Sequence, residues 1–344
     1  MIPNIKPIDK LKMDEITNKI DHKTKPLGSL GRLEELAIQL AQILGSEHID
    51  LRQPKILLFA GDHGLTEEGI SPYPQVVTQQ MIQNFVNGGA AINVFSRQHQ
   101  IALDIVDCGL VSPTTSPEVV NLRLGSGTQS SLRGSAMTKD QYQKGLENGK
   151  AIARKAIDNG TTILGFGEMG IGNSSIAALL AAKLIDCDIT LTAGRGTGCD
   201  DEQMNSKLEV LKKVLTFHES LDNHEDIICA LGGFEQVTAL GAILEACSVG
   251  IPVMIDGFIM SSVALCAAKL APHSLDYMIF THKSASPGHQ VIMEHLGKKP
   301  LIDLGMRLGE GSGVAVAWPI IQSSAAFYNE MASFADANVS TTDA

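Results

Sequence analysis

The sequence predicts an α/β fold with a parallel sheet flanked by helices, and three observations carry that prediction. Short, continuous apolar runs recur along the chain, as in Lys55-Ile-Leu-Leu-Phe-Ala60 and Thr161-Thr-Ile-Leu-Gly-Phe166. Stretches with helical apolar spacing separate them. Glycine-rich polar segments close most of them, and the 33 glycines follow no repeat. Strands apolar on both sides are buried on both faces, and strands alternating with helices pair in parallel. Glycine without a period fits tight strand-to-helix turns, not collagen or disorder.

Composition bounds the function. A chain of 344 residues with 44% apolar residues can bury a large core, here aliphatic, since there is one Trp and ten Phe. The net charge of −11 argues against nucleic acid as the main partner, because a phosphate backbone needs a basic face. The six cysteines show no C-x-x-C spacing, so they read as free thiols in a reducing compartment. No apolar run reaches the ~18 residues of a membrane span, and Met1-Ile-Pro-Asn-Ile-Lys-Pro7 has no apolar core of a secretory signal. The expectation is a cytoplasmic protein without membrane contact.

Taken in order, the chain opens with a polar amphipathic stretch, helical from about Met13. Lys23 to Gly31 is a loop, and Ser29 caps a helix over roughly 30–44, whose Leu33, Leu36, Ala37, Leu40 and Ala41 form one stripe. Strands are expected at 55–60, 101–107, 161–166, 226–231, 251–256 and 277–281. Helices are expected at about 75–98, 139–159, 174–185, 201–215, 235–248, 259–270, 287–296 and 313–334. Segment 111–136, rich in Ser, Thr and Gly, reads as a long surface excursion. The helices of the two chain ends belong to neither side of the alternation. They suggest a small helical domain of 1–48 with 320–344, beside a large α/β domain of 49–319.

Ligands of such sheets bind beyond the carboxyl ends of the strands. Here those ends gather Gly61-Asp-His-Gly64, Gly165-Phe-Gly-Glu-Met-Gly170, Gly232-Gly-Phe-Glu235, Asp256-Gly-Phe258 and Thr281-His-Lys-Ser284. The second matches G-x-G-x-x-G, follows a strand and precedes a helix capped by Asn173, which suggests a dinucleotide enzyme. Glu168, however, is an acid where a pyrophosphate would sit, so the motif is better evidence that a ligand meets backbone there. Ala193-Gly-Arg-Gly-Thr-Gly198, with Arg195 and Gly196, and the pair Gly232-Gly233 suit a phosphate monoester held by backbone N–H groups and one cation, or are simply flexible turns. Lys283 and Ser284 are candidate ligand donors. Asp62-His63 has neither a second histidine at ligand spacing nor a serine elbow, so metal and nucleophilic catalysis are disfavoured. In Leu304-Gly-Met-Arg-Leu-Gly-Glu-Gly-Ser-Gly313, Glu310 stands between glycines before an apolar helix. Walled by Met306 and Leu308, it should be poorly hydrated, with a raised pKa suited to a base.

These segments form a series. Lys25-Pro-Leu-Gly-Ser-Leu-Gly-Arg-Leu-Glu34, Gly61-Asp-His-Gly64, Val77-Thr78, Gly167-Glu-Met-Gly-Ile-Gly-Asn173, Gly232-Gly-Phe234, Ile255-Asp-Gly-Phe258 and Met306-Arg-Leu-Gly-Glu-Gly-Ser-Gly313 resemble, in order and over nearly the whole chain, the nicotinate-nucleotide–dimethylbenzimidazole phosphoribosyltransferase family. The resemblance implies a homodimer whose subunits have a Rossmann-like large domain and a small helical domain from both chain ends. It implies transfer of the phosphoribosyl group of nicotinate mononucleotide to 5,6-dimethylbenzimidazole with inversion, in cobalamin assembly, without metal or redox cofactor. Glu310 matches the family's general base and Glu168 its second carboxylate, with Lys207 a countercharge for the phosphate. Gly170, Asn173, Leu308 and Gly309 belong to the same motifs. Three acceptor-pocket positions depart from the family pattern. This chain has Tyr73 where members often carry serine, Met81 for glutamine, and Met169 for leucine. Drift around an unchanged acceptor and a shifted preference toward purines, plain benzimidazoles or phenols both stay open.

Overall fold

The computed structural model describes residues 2–9, 12–196 and 198–340. Its strands are β1 (Lys55–Gly61), β2 (Ala102–Gly109), β3 (Val119–Asn121), β4 (Leu164–Met169), β5 (Val253–Ile255) and β6 (Met278–Phe280). They form one parallel sheet in the order β3-β2-β1-β4-β5-β6. Lys55 pairs in register with Ala102 on one side and Leu164 on the other. The chain thus builds outward from β1 to β3, then returns to the far side of β1 as β4. That reversal opens a crevice at the carboxyl ends of β1 and β4, where such sheets bind ligands.

In chain order the α-helices are α1 (Met13–Asp21), α2 (Arg32–Leu44), α3 (Val76–Val86), α4 (Ala91–Gln98), α5 (Lys139–Asp158), α6 (Asn173–Ile185), α7 (Ile189–Thr192) and α8 (Asp201–Phe217). They continue as α9 (His224–Leu231), α10 (Phe234–Ser248), α11 (Phe258–Leu270), α12 (Pro287–Leu296), α13 (Ser312–Glu330) and α14 (Phe334–Ala337). Strand alternation sorts the core. Leu57, Phe59 and Phe166 meet the buried faces of α5, α6, α10 and α11, with the Phe59 and Phe166 rings stacked at 6.4 Å. Ile56, Leu58 and Ala60 point the other way, into a second apolar layer with α2, α3, α4 and α13. No helix among the described residues is long and apolar enough to cross a membrane.

The helices of the two chain ends do pack together. Ile16, Ile20, Leu36, Leu40, Trp318 and Tyr328 share one apolar group, and Lys23 bridges backbone to backbone with Ser333. That group also contains Ile56 and Leu58, so its core is continuous with one face of the sheet.

Several expectations need correction. Ser29 does not cap α2, whose N-cap is Gly31 without a side-chain bond, and Asn173 is the first residue of α6, behind Gly172, with its side-chain amide on Glu168. Residues 226–231 are not a strand but most of α9. Asn223 caps that helix, accepting from the N–H groups of Glu225 and Asp226, and a six-residue apolar run does not distinguish a strand from a buried helical turn. The sixth strand is instead β3, inside the segment read as a surface excursion. The helix expected at 75–98 breaks in two at Gly88, which turns at φ 75°.

Candidate active site

A cavity of about 420 Å³ lies at the carboxyl ends of β1 and β4. Three groups of residues build it. After β1, Ser71, Pro72 and Tyr73 with Val77 and Met81 of α3 form one wall. The turn from β4 into α6 contributes Glu168, Met169, Gly170, Asn173 and Ser174. Arg195, Gly196, Cys199 and Lys207 close the end beyond α6, while Arg307, Leu308 and Glu310 lie across from the turn. A smaller space of about 30 Å³ adjoins it, sharing Glu168 and Leu308 and lined also by Asp256, His282, Ser284 and Gly309.

Glu310 owes its position to an unusual backbone. It sits at φ 64°, a left-handed conformation that a side chain rarely adopts, between Gly309 at 89° and Gly311 at 79°. Several bonds fix it there. Asp256, at the end of β5, accepts from the N–H groups of Gly311 (3.0 Å) and Gly313 (2.8 Å), at the start of α13. A carboxylate at a helix N-terminus satisfies donors that the helix itself cannot. Behind it His282 Nε2 lies 3.3 Å from Asp256 Oδ1, an ion pair that raises the His282 pKa against the effect of burial. The Glu310 N–H reaches Glu168 Oε1 at 3.3 Å.

The side chains on these supports are electrostatically unusual. Glu310 is 6% exposed and its Oε2 is buried without a hydrogen-bond partner. Burial, with the Asp256 charge nearby, pushes its pKa up to about 7, against the opposing N–H of Ile92. Burial and Asp256 likewise push Glu168 up to about 8, while the Glu310 N–H and the Asn173 side-chain amide favour its charged form. Two carboxyl groups therefore change charge near neutral pH, at opposite ends of one turn contact. Such tuning suits proton transfer.

At the far end Lys207 is 2% exposed and donates to the Gly194 carbonyl at 3.0 Å. Burial lowers its pKa. A Cβ on Gly196 would fall 3.6 Å from the Lys207 Nζ and 3.0 Å from the hydroxyl of Ser174 in the first turn of α6, a grouping of donors suited to an anion. Arg195 is tied to Asp201 and to the Cys199 carbonyl, which shapes the loop around Gly196. Thr197, part of the same glycine-rich segment, lies outside the described residues.

Most residues singled out from sequence meet here. Tyr73, Met81, Glu168, Met169, Gly170, Asn173, Arg195, Gly196, Lys207, Leu308 and Glu310 line the main cavity, and Ser284 and Gly309 the adjoining space. Gly232 and Gly233 line neither, and they follow a helix, not a strand. A Cβ on Gly233 would fall 2.5 Å from the His63 ring and collide with the Glu235 carboxylate. Gly233 therefore makes room for side chains behind the site, while a Cβ on Gly232 would fall 2.6 Å from the Ile228 carbonyl of α9. Lys283 pairs with Asp303. Sequence reasoning missed Arg307, Phe258, Ile259 and Ser286 as lining residues, although Arg307 stands in the same motif as Glu310.

Likeness to known proteins agrees with this geometry. A phosphoribosyltransferase family model matches residues 5–339. A nicotinate-nucleotide–dimethylbenzimidazole phosphoribosyltransferase of Cupriavidus necator is 45% identical over 340 residues, covering 98% of each chain. The chain belongs to the nicotinate-nucleotide–dimethylbenzimidazole phosphoribosyltransferase family. A relative of the same name from Vibrio vulnificus is 47% identical over 333 residues, 94% of this chain and 97% of that one. A crystal structure of CobT from Thermus thermophilus superposes with a TM-score of 0.92 at 37% identity, covering 95% of this chain and 98% of the other. Within this family the G-x-G-x-x-G match takes on a different meaning. Gly165 and Gly167 lie inside β4, not in a phosphate turn. A Cβ on Gly165 would fall 2.5 Å from Val314, and one on Gly167 2.7 Å from the Glu310 carbonyl. They are bare so that α13 and the Glu310 loop can lie on the sheet.

Proposed function

We propose that this chain moves the phosphoribosyl group of nicotinate mononucleotide to 5,6-dimethylbenzimidazole, giving α-ribazole 5'-phosphate and nicotinate. The observation that supports the reading is the buried Glu310 carboxylate, unpartnered at Oε2 and titrating near neutrality, at the edge of the cavity in a chain of this family. The pyridinium of the nucleotide is cationic, so its glycosidic bond breaks with the electron pair passing to the ring nitrogen. The leaving ring needs no acid. A benzimidazole nitrogen attacks C1' from the opposite face and inverts its configuration. The acceptor's N–H proton then passes to Glu310. The reaction is redox-neutral and needs one proton acceptor.

The two ends of the cavity divide the substrates. The mononucleotide phosphate lies toward Lys207, Gly196 and the first turn of α6, where donors converge. The acceptor lies between Tyr73, Val77, Met81 and Met169, within reach of Glu310. Glu168, largely neutral at pH 7, orients the ribose or the Glu310 loop. Residues 1–48 with 320–344 act as the small helical unit and 49–319 as the catalytic one, and two copies form a cytoplasmic homodimer. Incubation with nicotinate mononucleotide and a panel of bases, read by product mass and nicotinate release, tests the activity. Absence of nicotinate release would refute it.

The acceptor wall favours a second reading of the same chemistry. Met81 and Met169 present flexible thioethers, and Tyr73, half exposed at the mouth, offers a phenol. A wall of this kind tolerates a differently shaped acceptor, including a phenol that attacks through oxygen. Competition between mixed acceptors decides it. Exclusive use of dimethylbenzimidazole, unchanged by Tyr73→Ser with Met81→Gln, would remove the second reading.

A further inference from the structure

Three segments of the motif series carry polar side chains that do not line the cavity: Asp62 and His63 of Gly61-Asp62-His63-Gly64, Thr78 beside the cavity-lining Val77, and Glu235 directly after Gly232-Gly233-Phe234. They converge on one buried polar cluster directly behind the turn from β4 to α6. The Ile171 N–H donates to Thr78 Oγ1 at 3.1 Å. The Thr78 hydroxyl faces the Asp62 carboxylate and favours its charge, while Asp62 Oδ2 accepts from the Val111 N–H at 2.8 Å. Next in the chain, His63 Nε2 lies 3.2 Å from Glu235 Oε1, with both side chains fully buried. The His63 ring stands against Gly170, where a Cβ would fall 3.1 Å from Nε2 and collide with the Gly61 carbonyl. The Gln75 side chain donates to the His63 carbonyl at 3.2 Å, holding the start of α3 to the same cluster.

We propose that Thr78 is a positioning residue, supported by Asp62, His63 and Glu235, that fixes the acceptor-side helix α3 against the nucleotide-side turn 168–173. The arrangement explains why so much polarity is buried without touching the cavity. Val77 and Met81 on α3 face the acceptor, while Glu168, Gly170 and Asn173 face the nucleotide. Thr78 lies between them on α3 and bonds the backbone of the turn. The residue is 0% exposed, so no substrate contact is available to its hydroxyl. A buried polar group with a bonded partner resists displacement, because breaking the bond leaves a donor unsatisfied. Displacement of the two walls by about 1 Å is enough to cost on the order of 10²-fold in rate.

The proposal rests on the cavity being the site of phosphoribosyl transfer, and its test separates the two. Thr78→Val keeps the shape of the side chain and loses the hydroxyl, whereas Thr78→Ser keeps the hydroxyl. In Thr78→Val, kcat should fall on the order of 10- to 100-fold. Calorimetry should still find one mononucleotide bound per chain, which a partly unfolded preparation would not give. Hydrogen exchange of the peptide spanning Ile171 should accelerate. Thr78→Ser should restore both kcat and protection. Parental kcat with parental protection in Thr78→Val overturns the proposal, as does a serine variant as slow as the valine one. If the parent protein transfers nothing, the functional reading fails, and protection at Ile171 alone then decides the tie between α3 and the turn. Should Thr78→Val not fold, Glu235→Gln takes its place, with the same lowered kcat expected and parental kcat overturning the idea.

Discussion

Replacing Glu310 by Gln separates catalysis from stability, and the two effects run in opposite directions. Gln has the shape of Glu but cannot accept a proton, so turnover should fall by roughly 10²–10⁴, the usual contribution of a positioned base. Stability relative to the parent should rise with pH. The Glu310 pKa is raised from 4.5 to about 7 in the fold. An acid raised by folding costs the parent stability as pH climbs from the unfolded to the folded value, and the loss is flat above that. A shift of about 2.5 units at about 1.36 kcal/mol per unit gives an upper bound of about 3 kcal/mol above pH 7, against about 1 kcal/mol at pH 5.5. A chain of 344 residues has an unfolding entropy of roughly 0.7 kcal/mol/K. The variant's gain in melting temperature should therefore be about 3 °C larger at pH 8 than at pH 5.5. Any fixed cost of the buried amide cancels in that difference. Steady-state nicotinate release and scanning calorimetry at the two pH values read both effects. Near-parental turnover, or a melting shift independent of pH, would refute the reasoning.

The fold was legible where periodicity had room to act and illegible where it did not. β1, β4 and the long helices α5, α6, α10 and α11 each carry enough apolar residues to show their period. α9 does not, since Ile227 to Leu231 is apolar on every side and only the Asn223 cap marks it as a helix. β3 spans three residues, with Val120 and Asn121 exposed at the sheet edge, so no apolar run announces it. Its place is set by pairing with β2, a contact that local sequence does not encode.

The site shows the same division. Glu310 and Glu168 stand out because each is an acid among glycines, and glycines in such numbers mark backbone held close to something. What they are close to was not legible. Gly165 and Gly167 read as a nucleotide turn but serve to seat α13 and the Glu310 loop. Gly233 reads as a phosphate turn but yields space to His63 and Glu235. Asp256 and His282 lie 26 residues apart, and their pairing behind Gly311 depends on β5 and β6 being neighbours. Motifs name the participants, and the strand order decides which of them meet.

The charges around the cavity carry three further predictions. Glu310 must be ionised to accept the proton, and Glu168, at about 8, is neutral while it orients the ribose or the Glu310 loop, so kcat/KM should rise through about 7 and fall through about 8. Glu168→Gln, which imitates the neutral carboxyl, should lose less activity than Glu310→Gln and should abolish the alkaline fall. An alkaline limb that persists unchanged in that variant would remove the role. Lys207→Met relieves a buried cation and removes a charge-assisted donor. It should raise KM for the mononucleotide by roughly 10- to 100-fold, the equivalent of about 1.5–3 kcal/mol, without lowering the melting temperature of the free protein. An unchanged KM would move the phosphate elsewhere. Asp256→Asn tests what sets the base itself. Asp256 raises the Glu310 pKa by its charge and holds Gly311 and Gly313 through two N–H bonds. The amide retains one acceptor and turns a donor toward an N–H, so the left-handed backbone at Glu310 loses half of its support. Two consequences should appear together. Turnover should drop, because the loop relaxes and Glu310 is less well placed. The acid limb of kcat/KM should also move to lower pH, because a nearby negative charge is gone and the carboxyl is better hydrated. A drop in turnover with the acid limb unmoved would mean that burial alone raises the Glu310 pKa, and that Asp256 serves only as the cap of α13.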